Sequence, residues 1–385
     1  MSMKIGIDIR PIGKKRTGDE AYFFGLVKNL AIIDKKNEYF LYTDCDPEQD
    51  FDLKKEIGRL ELGKNFKVIF LKSPNRFCWN AWVLPLCLRR NPVDIFHTQY
   101  IAPFWLPKKV KLVLTIHDIS FNFFPQFIKF SDLFFLRTLI PRSLKMARMI
   151  IAVSEFTRQE IEKFYKISAE KIAAVYNGAD FERFNKRINT RRMEEIRRKY
   201  KLPEKFVLYI GTLQPRKNIP VAIEAMGTLR DKHKMSGIRM VVAGNRKAHN
   251  FDPKIDKTIK NLQLGSEVVF SGWIDEDDKP ALFQLADCFV FPSLYEGFGI
   301  PIVDAMAAGT PVVCSDIPVF REIAGDAALF SDPRDSGEYA KMISKAIEDE
   351  EIKNNLIQKG LTQAKKFTWR GSAEKILRIY ELIGE

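Results

Sequence analysis

The sequence lacks most of the features that mark a specialised class of protein. Its five cysteines form no Cys-x-x-Cys pair, so neither a zinc site nor a disulfide framework is indicated. No apolar run approaches the roughly 18 residues of a membrane-spanning helix. The opening segment MSMKIGIDIR has no apolar signal region. No Gly-x-Gly-x-x-Gly follows the first strand, which argues against a dinucleotide-binding dehydrogenase. We therefore expect a cytoplasmic globular protein.

Positive charge is what the chain has in excess. Its 62 lysines and arginines outnumber 49 acidic residues, giving a net charge of +13. Such an excess suggests an anionic partner: nucleic acid, an anionic membrane face or a phosphorylated substrate. The charge is spread along the chain without an aromatic-basic recognition motif. We therefore expect no nucleic-acid partner, although a basic nucleic-acid-binding protein stays an alternative.

The order of apolar runs predicts an α/β protein. Short apolar runs alternate with helical patterns, which indicates parallel sheets covered by helices. The predicted strands begin at Lys4, Phe66, Val93, Val110, Arg148 and Lys171, and then at Phe206, Arg239, Glu267, Cys288 and Thr310. The polar segment around residues 181–200 is predicted to be a linker. We expect two Rossmann-like, doubly wound domains that face each other across a cleft.

The segment YEGFGIPIVDAMAAG joins a predicted strand to a predicted helix that begins near Pro301. Helix N-termini attract phosphate, and Gly297 and Gly299 let a ligand approach the backbone. Glu296 and Asp304 do not bind phosphate, but they accept hydrogen bonds from sugar hydroxyls. The junction therefore fits a nucleotide-sugar, and the alternative is a tight turn with a capping acid.

A second strand end, YIGTLQPRKNIPVAIEAM, places two cations in one loop. Arg216 can grip phosphate in a bidentate fork, and Lys217 supplies a mobile point charge. Because ligands of doubly wound sheets lie beyond the carboxyl ends of the strands, we expect both to bind phosphate. Asn218 is expected to cap the helix that follows.

Histidine is scarce, with four in the chain, and His117 ends the most apolar strand. An imidazole there can bond a sugar hydroxyl or stabilise developing positive charge; a satisfied core histidine is the alternative. His97, at another strand end, is assigned a structural role. In the first loop, Gly18 precedes a helix and could let phosphate or an acceptor approach the backbone.

These pieces together resemble the family 4 retaining glycosyltransferases, also called glycosyl transferases group 1, which have the GT-B fold. The likeness includes the segments GIDIRPIG, TIHDISF, AVSEFTRQEI, VYNGAD, YIGTLQPRKN, FPSLYEGFGIPIVDAMAAGTPVVCSD and FTWRGSAEKIL. It implies an acceptor-side domain over residues 1–185 and a nucleotide-sugar-binding domain over 186–366. A terminal helix over 367–385 would cross back to the first domain. Members with similar TIHDISF and GTLQPRKN segments build polysaccharide or O-antigen and are often mannosyltransferases, so GDP-mannose is the first donor to expect.

The resemblance also implies roles for individual residues. Glu296 would contact the donor sugar and His117 would line the sugar site, which makes these two the candidate catalytic residues. The donor-binding residues would be Gly18, Arg216, Lys217, Trp273, Gly297, Phe298, Gly299, Ile300 and Asp304. Arg216 and Lys217 would bind the diphosphate, and Gly18 would lie near it. The backbone of residues 298–300 would meet sugar hydroxyls and phosphate, and the tryptophan segment would meet the base.

Two positions depart from the family pattern. The second acid is usually a glutamate that binds ribose, whereas Asp304 is one methylene shorter, which leaves room for a bridging water. Many members place a second glycine or an Ile-Gly-Arg-Tyr run after Thr-Gly, whereas this chain has Asp19, Glu20 and Ala21. An acid there repels phosphate, so Gly18 would serve the acceptor or only the shape of the loop.

The reaction implied is transfer of a hexose, with retention, to a glycan or lipid-linked acceptor in cell-surface polysaccharide synthesis. No metal or other cofactor is expected, because Arg216, Lys217 and the helix N-terminus would neutralise the leaving diphosphate. The donor's own phosphate oxygen would take the acceptor's proton during same-face attack. A sugar-nucleotide epimerase of the same fold is the alternative enzyme.

Two segments of the first half, RFCWNAWVLPLCLRR and YIAPFWLPKKVKL, interleave aromatic and basic residues. One interpretation is a surface that contacts an anionic membrane or a lipid-linked acceptor, which would place the protein peripherally at the inner membrane face. The other is core segments with loop lysines.

Overall fold

Two α/β units make up the chain in a computed structural model that describes residues 2–14, 17–233, 235, 237–248 and 250–384. Internal contacts group Met1–Gly178 with Trp369–Glu385 in the first unit, and Ala179–Thr368 form the second. Each unit contains one sheet in which neighbouring strands are parallel, so the prediction of two doubly wound sheets is confirmed. In the described residues, no helix is long and apolar enough to cross a membrane.

The first unit has a seven-stranded sheet. Its strands are β1 Lys4–Asp8, β2 Glu38–Thr43, β3 Phe66–Phe70, β4 Ile95–Gln99, β5 Lys111–Ile116, β6 Met149–Ala152 and β7 Ile172–Ala174. Their order across the sheet is β3-β2-β1-β4-β5-β6-β7. The order reverses between β1 and β4, which is the switch point where doubly wound sheets form ligand sites.

The second unit has a six-stranded sheet with the same kind of reversal. Its strands are β8 Phe206–Ile210, β9 Arg239–Ala243, β10 Val268–Gly272, β11 Cys288–Phe291, β12 Val312–Ser315 and β13 Leu329–Ser331. They are ordered β10-β9-β8-β11-β12-β13, so the switch point lies between β8 and β11. All residues of both strands are buried, because helices cover both faces of the sheet.

The described helices of the first unit are α1 Thr17–Ile33, α2 Phe51–Arg59, α3 Arg76–Cys78, α4 Leu84–Arg90, α5 Ser120–Phe123, α6 Phe130–Met146, α7 Glu155–Tyr165 and the terminal α17 Trp369–Gly384. A π-helical segment, Trp79–Val83, joins α3 to α4. Those of the second unit are α8 Phe181–Asn185, α9 Thr190–Lys199, α10 Ile219–Asp231, α11 Lys254–Asn261, α12 Lys279–Leu285, α13 Ile300–Ala307, α14 Pro318–Ala324, α15 Ser336–Glu348 and α16 Glu350–Ala364.

Several helices begin where the sequence supplies an N-cap. The side chains of Asp50, Ser154 and Asp349 each accept a hydrogen bond from a backbone N–H in the first turn of α2, α7 and α16. Such caps satisfy donors that the helix itself leaves unpaired. Pro301 lies in the first turn of α13, as predicted, where its missing N–H removes no helical bond.

The segment around residues 181–200 is not the predicted linker. It forms α8 and α9, which follow one another within the second unit. Each helix buries a single large apolar side chain, Phe184 and Ile196, so the apolar signal in the sequence is weak. A charge network adds to the packing: the buried carboxylate of Asp278 accepts hydrogen bonds from Lys199 at 2.6 Å and from Tyr200 at 2.7 Å.

The terminal helix α17 packs against α1 inside the first unit. The Trp369 ring packs directly against the backbone of Gly25 on α1. A Cβ at that position would come within 2.3 Å of the indole, so the contact requires glycine. The phenol of Tyr380 lies 2.5 Å from Nδ1 of His97 on β4. This contact accounts for a structural role of His97, whose imidazole is fully buried.

Candidate functional site

The strongest cluster of predicted site residues lies at the switch point of the second sheet. Strands β8 and β11 are hydrogen-bonded neighbours, with Cys288 opposite Val207. The loop after β8 carries Arg216 and Lys217, and the loop after β11 carries Glu296. Because both strands run the same way, their loops leave from one edge of the sheet. The structure therefore brings these three residues into contact.

Glu296 is the centre of this cluster. Its Oε1 accepts hydrogen bonds from Nζ of Lys217 and, at 2.9 Å, from Oγ of Ser293. Its Oε2 lies 3.2 Å from a guanidinium nitrogen of Arg216, and that guanidinium also donates to the carbonyl of Tyr295. The charged side chains are between 10% and 16% exposed, so the contacts are held largely away from water.

The electrostatics of the cluster favour anions. Burial raises the pKa of Glu296, but the adjacent Lys217 and Arg216 outweigh burial and lower that pKa to about 2. The carboxylate is therefore ionised at neutral pH. Two cations against one carboxylate leave a net charge of +1, and a weakly solvated site strengthens its attraction for an anion.

The turn between β11 and α13 has a backbone that a side chain would disturb. Gly299 has φ +102°, in the left-handed region, and a Cβ there would come within 3.0 Å of the Phe320 ring. Phe298 is buried, with its ring 5.6 Å from that of Phe367. Gly297 is buried as well, and α13 begins at Ile300, so the turn directs a helix N-terminus at the same strand edge.

The prediction that Asn218 caps α10 is wrong for its side chain. It precedes the helix in a left-handed conformation, with φ 53° and no side-chain capping bond. Its Nδ2 instead donates to the carbonyls of Pro292, at 3.2 Å, and Pro333, at 2.6 Å. The amide of Leu294 also donates to the carbonyl of Arg216, at 2.9 Å. These bonds hold the cationic loop against the loop that carries the acid.

Asp304 has a different environment from Glu296. It lies on α13, and the charged groups that act on it belong to α8 with its N-cap residue and to the segment before and within α12. Burial raises the pKa of Asp304 to about 7, Lys279 and Arg183 lower it, and Glu276 and Asp180 raise it. The structure therefore assigns the two acids of the motif to separate surroundings.

Trp273 follows β10 directly and is half-buried. It comes after Gly272, which has φ +75° and ends the strand. It lies two strands from β8 in the sheet order, at the same edge as the cationic loop.

In the first unit, His117 follows β5 and is half-buried. Its Nε2 lies 2.7 Å from Oε1 of Gln99, and its ring packs edge-on against that of Tyr22 at 5.0 Å. Burial lowers the pKa of His117, although Asp19 and Asp118 act in the opposite direction. The imidazole is neutral near pH 7.

Gly18 is exposed in the first turn of α1, and a Cβ there would meet nothing within 4 Å. Space therefore does not explain the glycine. The donor- and acceptor-binding roles expected for Gly18 and for the other site residues stay predictions.

Sequence reasoning missed Ser293, Gln99 and Asn218 as parts of these sites. Gln99 and Ser293 lie at or just beyond a strand end, and Asn218 directly precedes α10; those positions are the signals that could have drawn attention to them. Their partners are set by loop conformation, which apolar patterns do not report.

Two family models match the chain, one for each half. The model described as Glycosyltransferase Family 4 matches residues 20–183, and Glycosyl transferases group 1 matches residues 192–363. Together they extend over most of both units and include His117, Glu296 and the two loop cations.

Individual proteins show the same likeness. The chain is 29% identical over 396 aligned positions to O-antigen chain mannosyltransferase B of Escherichia coli, with 99% of this chain and 100% of that protein covered. It is 30% identical over 230 positions to O-antigen chain mannosyltransferase RfbU of Salmonella typhimurium, covering 60% of this chain and 59% of that protein. Among solved structures, Anabaena HepE in complex with UDP-glucose matches with a TM-score of 0.75 at 19% identity, covering 98% of this chain and 99% of that one.

Proposed function

Because this chain belongs to the family 4 glycosyltransferases and has their GT-B fold, we propose that it transfers mannose from GDP-mannose to a glycan or lipid-linked acceptor in cell-surface polysaccharide synthesis. The observation that carries the proposal is the buried cluster of Arg216, Lys217 and Glu296 at the switch point of the second sheet. A nucleotide-diphosphate sugar has both the anion and the hydroxyls that this cluster suits.

The two cations are proposed to bind the diphosphate. Transfer of a glycosyl group places negative charge on the departing diphosphate, and fixed cations in a weakly solvated site stabilise that charge as it develops. The N-terminus of α13 adds backbone N–H groups beside residues 298–300. With charge supplied in this way, the reaction needs no metal ion, and we expect activity to be unchanged by EDTA.

The remaining donor contacts follow the family pattern. Glu296 would meet the donor sugar, Asp304 the ribose and Trp273 the base, with Gly297 and Gly299 admitting the ligand to the backbone. His117 would line the sugar site, and Gly18 would lie near the diphosphate or the acceptor.

Retention at the anomeric carbon is part of the proposal. The transition state has oxocarbenium character, as in glycoside hydrolysis. The ionised Glu296 is bound by two cations and a hydroxyl, which weakens it as a nucleophile. Same-face attack, with a donor phosphate oxygen taking the acceptor's proton, then gives retention. The anomeric configuration of the product, read by NMR, tests this step.

The choice of mannose rests on the names of the relatives, and a donor panel tests it. Thermal shift and turnover would be measured with GDP-mannose, UDP-glucose and ADP-glucose. We expect the largest stabilisation and the highest turnover with GDP-mannose. Preference for UDP-glucose would keep the glycosyltransferase and replace the donor. Rearrangement of the sugar without any acceptor would instead identify an epimerase.

We also propose that the first unit contacts an anionic membrane. Residues 72–148 hold twelve lysines and arginines against three acidic residues. They also hold seven of the twelve exposed large hydrophobic side chains in the described residues: Phe77, Trp82, Leu86, Phe123, Phe130, Phe134 and Phe135. Exposed aromatics among bases suit the interface of an anionic bilayer.

Two parts of this segment are joined by side-chain contacts. The Phe77 ring lies 5.7 Å from that of Trp82 and 5.2 Å from that of Phe104. The guanidinium of Arg142 on α6 lies 5.9 Å from the Phe104 ring, so the α3–α4 segment adjoins α6. Helix α6 in turn exposes Phe130, at 84%, and Phe134.

Vesicle sedimentation tests the membrane proposal. We expect binding to vesicles that contain anionic lipid at low salt, and a loss of binding when Phe130, Phe134 and Phe135 are replaced by serine. The matched control is Phe51→Ser, which removes a 79% exposed phenylalanine outside the basic segment. Absence of binding by the unmodified protein, or equal binding by the triple variant and the control, would overturn the proposal.

A further inference from the structure

We propose that Gln99 and Asp19 are positioning residues that fix His117 as the neutral tautomer protonated on Nε2. The other ring nitrogen, Nδ1, then keeps its lone pair and can accept a hydrogen bond from a substrate hydroxyl. The proposal rests on the proposed function, in which His117 lines the sugar site.

The side chains of His117, Gln99 and Asp19 form a chain of hydrogen bonds, the histidine relay, at one edge of the first sheet. Gln99 ends β4 and pairs with Thr115 on β5, and His117 follows β5. Oε1 of Gln99 lies 2.7 Å from Nε2 of His117, and Nε2 of Gln99 donates to Oδ2 of Asp19 at 3.1 Å. Asp19 lies in the first turn of α1.

The carboxylate sets the direction of both bonds. An ionised aspartate only accepts, so the amide nitrogen of Gln99 must face Asp19. The amide oxygen, which only accepts, then faces His117. The imidazole must therefore donate through Nε2, and a neutral ring carries one proton, so Nδ1 is an acceptor. Burial lowers the pKa of His117 from its usual range, which supports the neutral ring near pH 7.

The ring orientation is held by packing as well. Tyr22 packs edge-on at 5.0 Å with an interplanar angle of 87°, and Tyr100 lies at 5.6 Å. A ring held by two aromatic neighbours and one hydrogen bond does not readily flip to present Nδ1 to the amide.

His97 is a comparison case in which the hydrogen-bonding partners of the ring do not select one tautomer. Its Nδ1 lies 2.5 Å from the hydroxyl of Tyr380, and its Nε2 lies 2.7 Å from the hydroxyl of Thr115. Hydroxyls both donate and accept, so these partners suit either tautomer. The two histidines therefore differ in the feature on which the proposal depends.

The inference also gives Asp19 a role. Its position departs from the family pattern, and a carboxylate there would repel phosphate. In this chain that carboxylate accepts a hydrogen bond from Gln99 at 3.1 Å. We infer that the acid at this position acts on the histidine rather than on the diphosphate.

Long-range nitrogen–proton NMR correlations of the 15N-labelled protein test the tautomer directly. The signals of His117 would be assigned from the spectrum of His117→Asn. We expect Nε2–H in the unmodified protein at pH 7.5. In Asp19→Asn the new side-chain amide can donate as well as accept, so it no longer fixes the orientation of the Gln99 amide. We therefore expect signal from the Nδ1–H form of His117 to appear. Nδ1–H in the unmodified protein, or no change in Asp19→Asn, would overturn the proposal.

Asp118→Asn is the matched control. It removes a neighbouring negative charge that acts on His117 but leaves the relay intact, so the tautomer should not change. A change as large as that in Asp19→Asn would assign the effect to charge alone and overturn the proposal.

Turnover measured on the same variants separates this inference from the proposed function. Asp19→Asn is expected to lower kcat several-fold with little change in the KM for the donor, because the sugar contact weakens while the diphosphate contacts remain. Full activity of His117→Asn would remove the proposed role of the histidine, and the tautomer result would stand by itself.

Discussion

The two sheets have the same kind of switch point, yet the charged side chains beside the two switch points differ in net charge. In the first unit, Arg10 binds both carboxylate oxygens of the buried Asp8, at 2.9 and 2.7 Å. One cation thus faces one carboxylate. In the second unit, Arg216 and Lys217 share Glu296, and the cluster keeps a net positive charge. Similar topology therefore accommodates a neutral ion pair in one unit and a cationic cluster in the other, and the difference lies in the loops.

The contrast extends to the side chains around each switch point. Arg10 in the first unit lies 4.5 Å from the ring of the fully buried Trp79, so it is part of the core packing. The imidazole of His117 nearby is neutral, and its ring lies 5.0 Å from that of Tyr22 and 5.6 Å from that of Tyr100. The second unit instead places its cations beside a glycine turn and a helix N-terminus. The comparison assigns a structural role to Arg10, in contrast to Arg216 and Lys217, which are proposed to bind the diphosphate.

Replacing both cations of the second unit should have the largest effect. We expect Arg216→Ala with Lys217→Ala to lower turnover by at least about 100-fold, because charge on the departing diphosphate loses its partners. Initial rates with saturating donor measure this. The control is Lys257→Ala with Lys260→Ala, two cations on α11. The double variant leaves the carboxylate of Glu296 without its two cations, and adding Glu296→Gln removes that remaining charge. Full activity of the double variant would contradict the assignment.

Breaking the pair in the first unit should act on stability instead. Arg10→Met leaves the buried Asp8 unpaired, and such changes cost about 3–5 kcal/mol in the free energy of unfolding. Urea unfolding measures the loss, and calorimetry should show little change in nucleotide affinity. Asp8→Asn together with Arg10→Met should recover part of the stability. A loss of nucleotide binding in a folded Arg10→Met protein would erase the contrast between the units.

The glycine turn offers a smaller and more local comparison. Gly299→Ala should destabilise the protein by about 1–2 kcal/mol, because an L side chain is strained at φ +102°. Donor affinity should fall with it, since the turn sets the start of α13. Gly18→Ala is the control from the first unit, where a Cβ meets open space. Equal thermal stability of Gly299→Ala and Gly18→Ala would contradict the prediction, because it would show that a side chain at residue 299 causes no strain.

The last prediction concerns Asp304, and the size of its effect depends on pH. Its pKa is raised by burial to about 7 in the folded chain, so the folded form binds the proton more tightly than the unfolded form does. Stability is therefore lost as the pH rises from about 4 through 7. Asp304→Asn should raise the melting temperature more at pH 8 than at pH 5. The exposed Asp326→Asn is the control, and the same pH profile in both variants would rule out the raised pKa.

Much of the fold is predictable from particular runs of residues. FVLYI and CFVF are continuous apolar runs, and both are central strands. Two strands are absent from the predicted set, β2 with six residues and β13 with three. The shorter of the two has too few residues for a pattern. Helices α8 and α9 were mistaken for a linker because a single large apolar side chain anchors each of them.

The candidate site was predictable residue by residue but not as a network. Glu296, Arg216 and Lys217 follow strands, which made them candidates. The contact between Lys217 and Glu296 joins residues 79 positions apart in the chain. No local pattern reports such pairing, nor the bond from Gln99 to Asp19 across 80 positions.

A crystal structure of the protein with a bound nucleotide-sugar tests the central claim most directly. The account predicts diphosphate oxygens within hydrogen-bond distance of the Arg216 and Lys217 side chains and of the backbone at residues 299–300. A diphosphate held by other residues, with both cations bound to Glu296 alone, would contradict it.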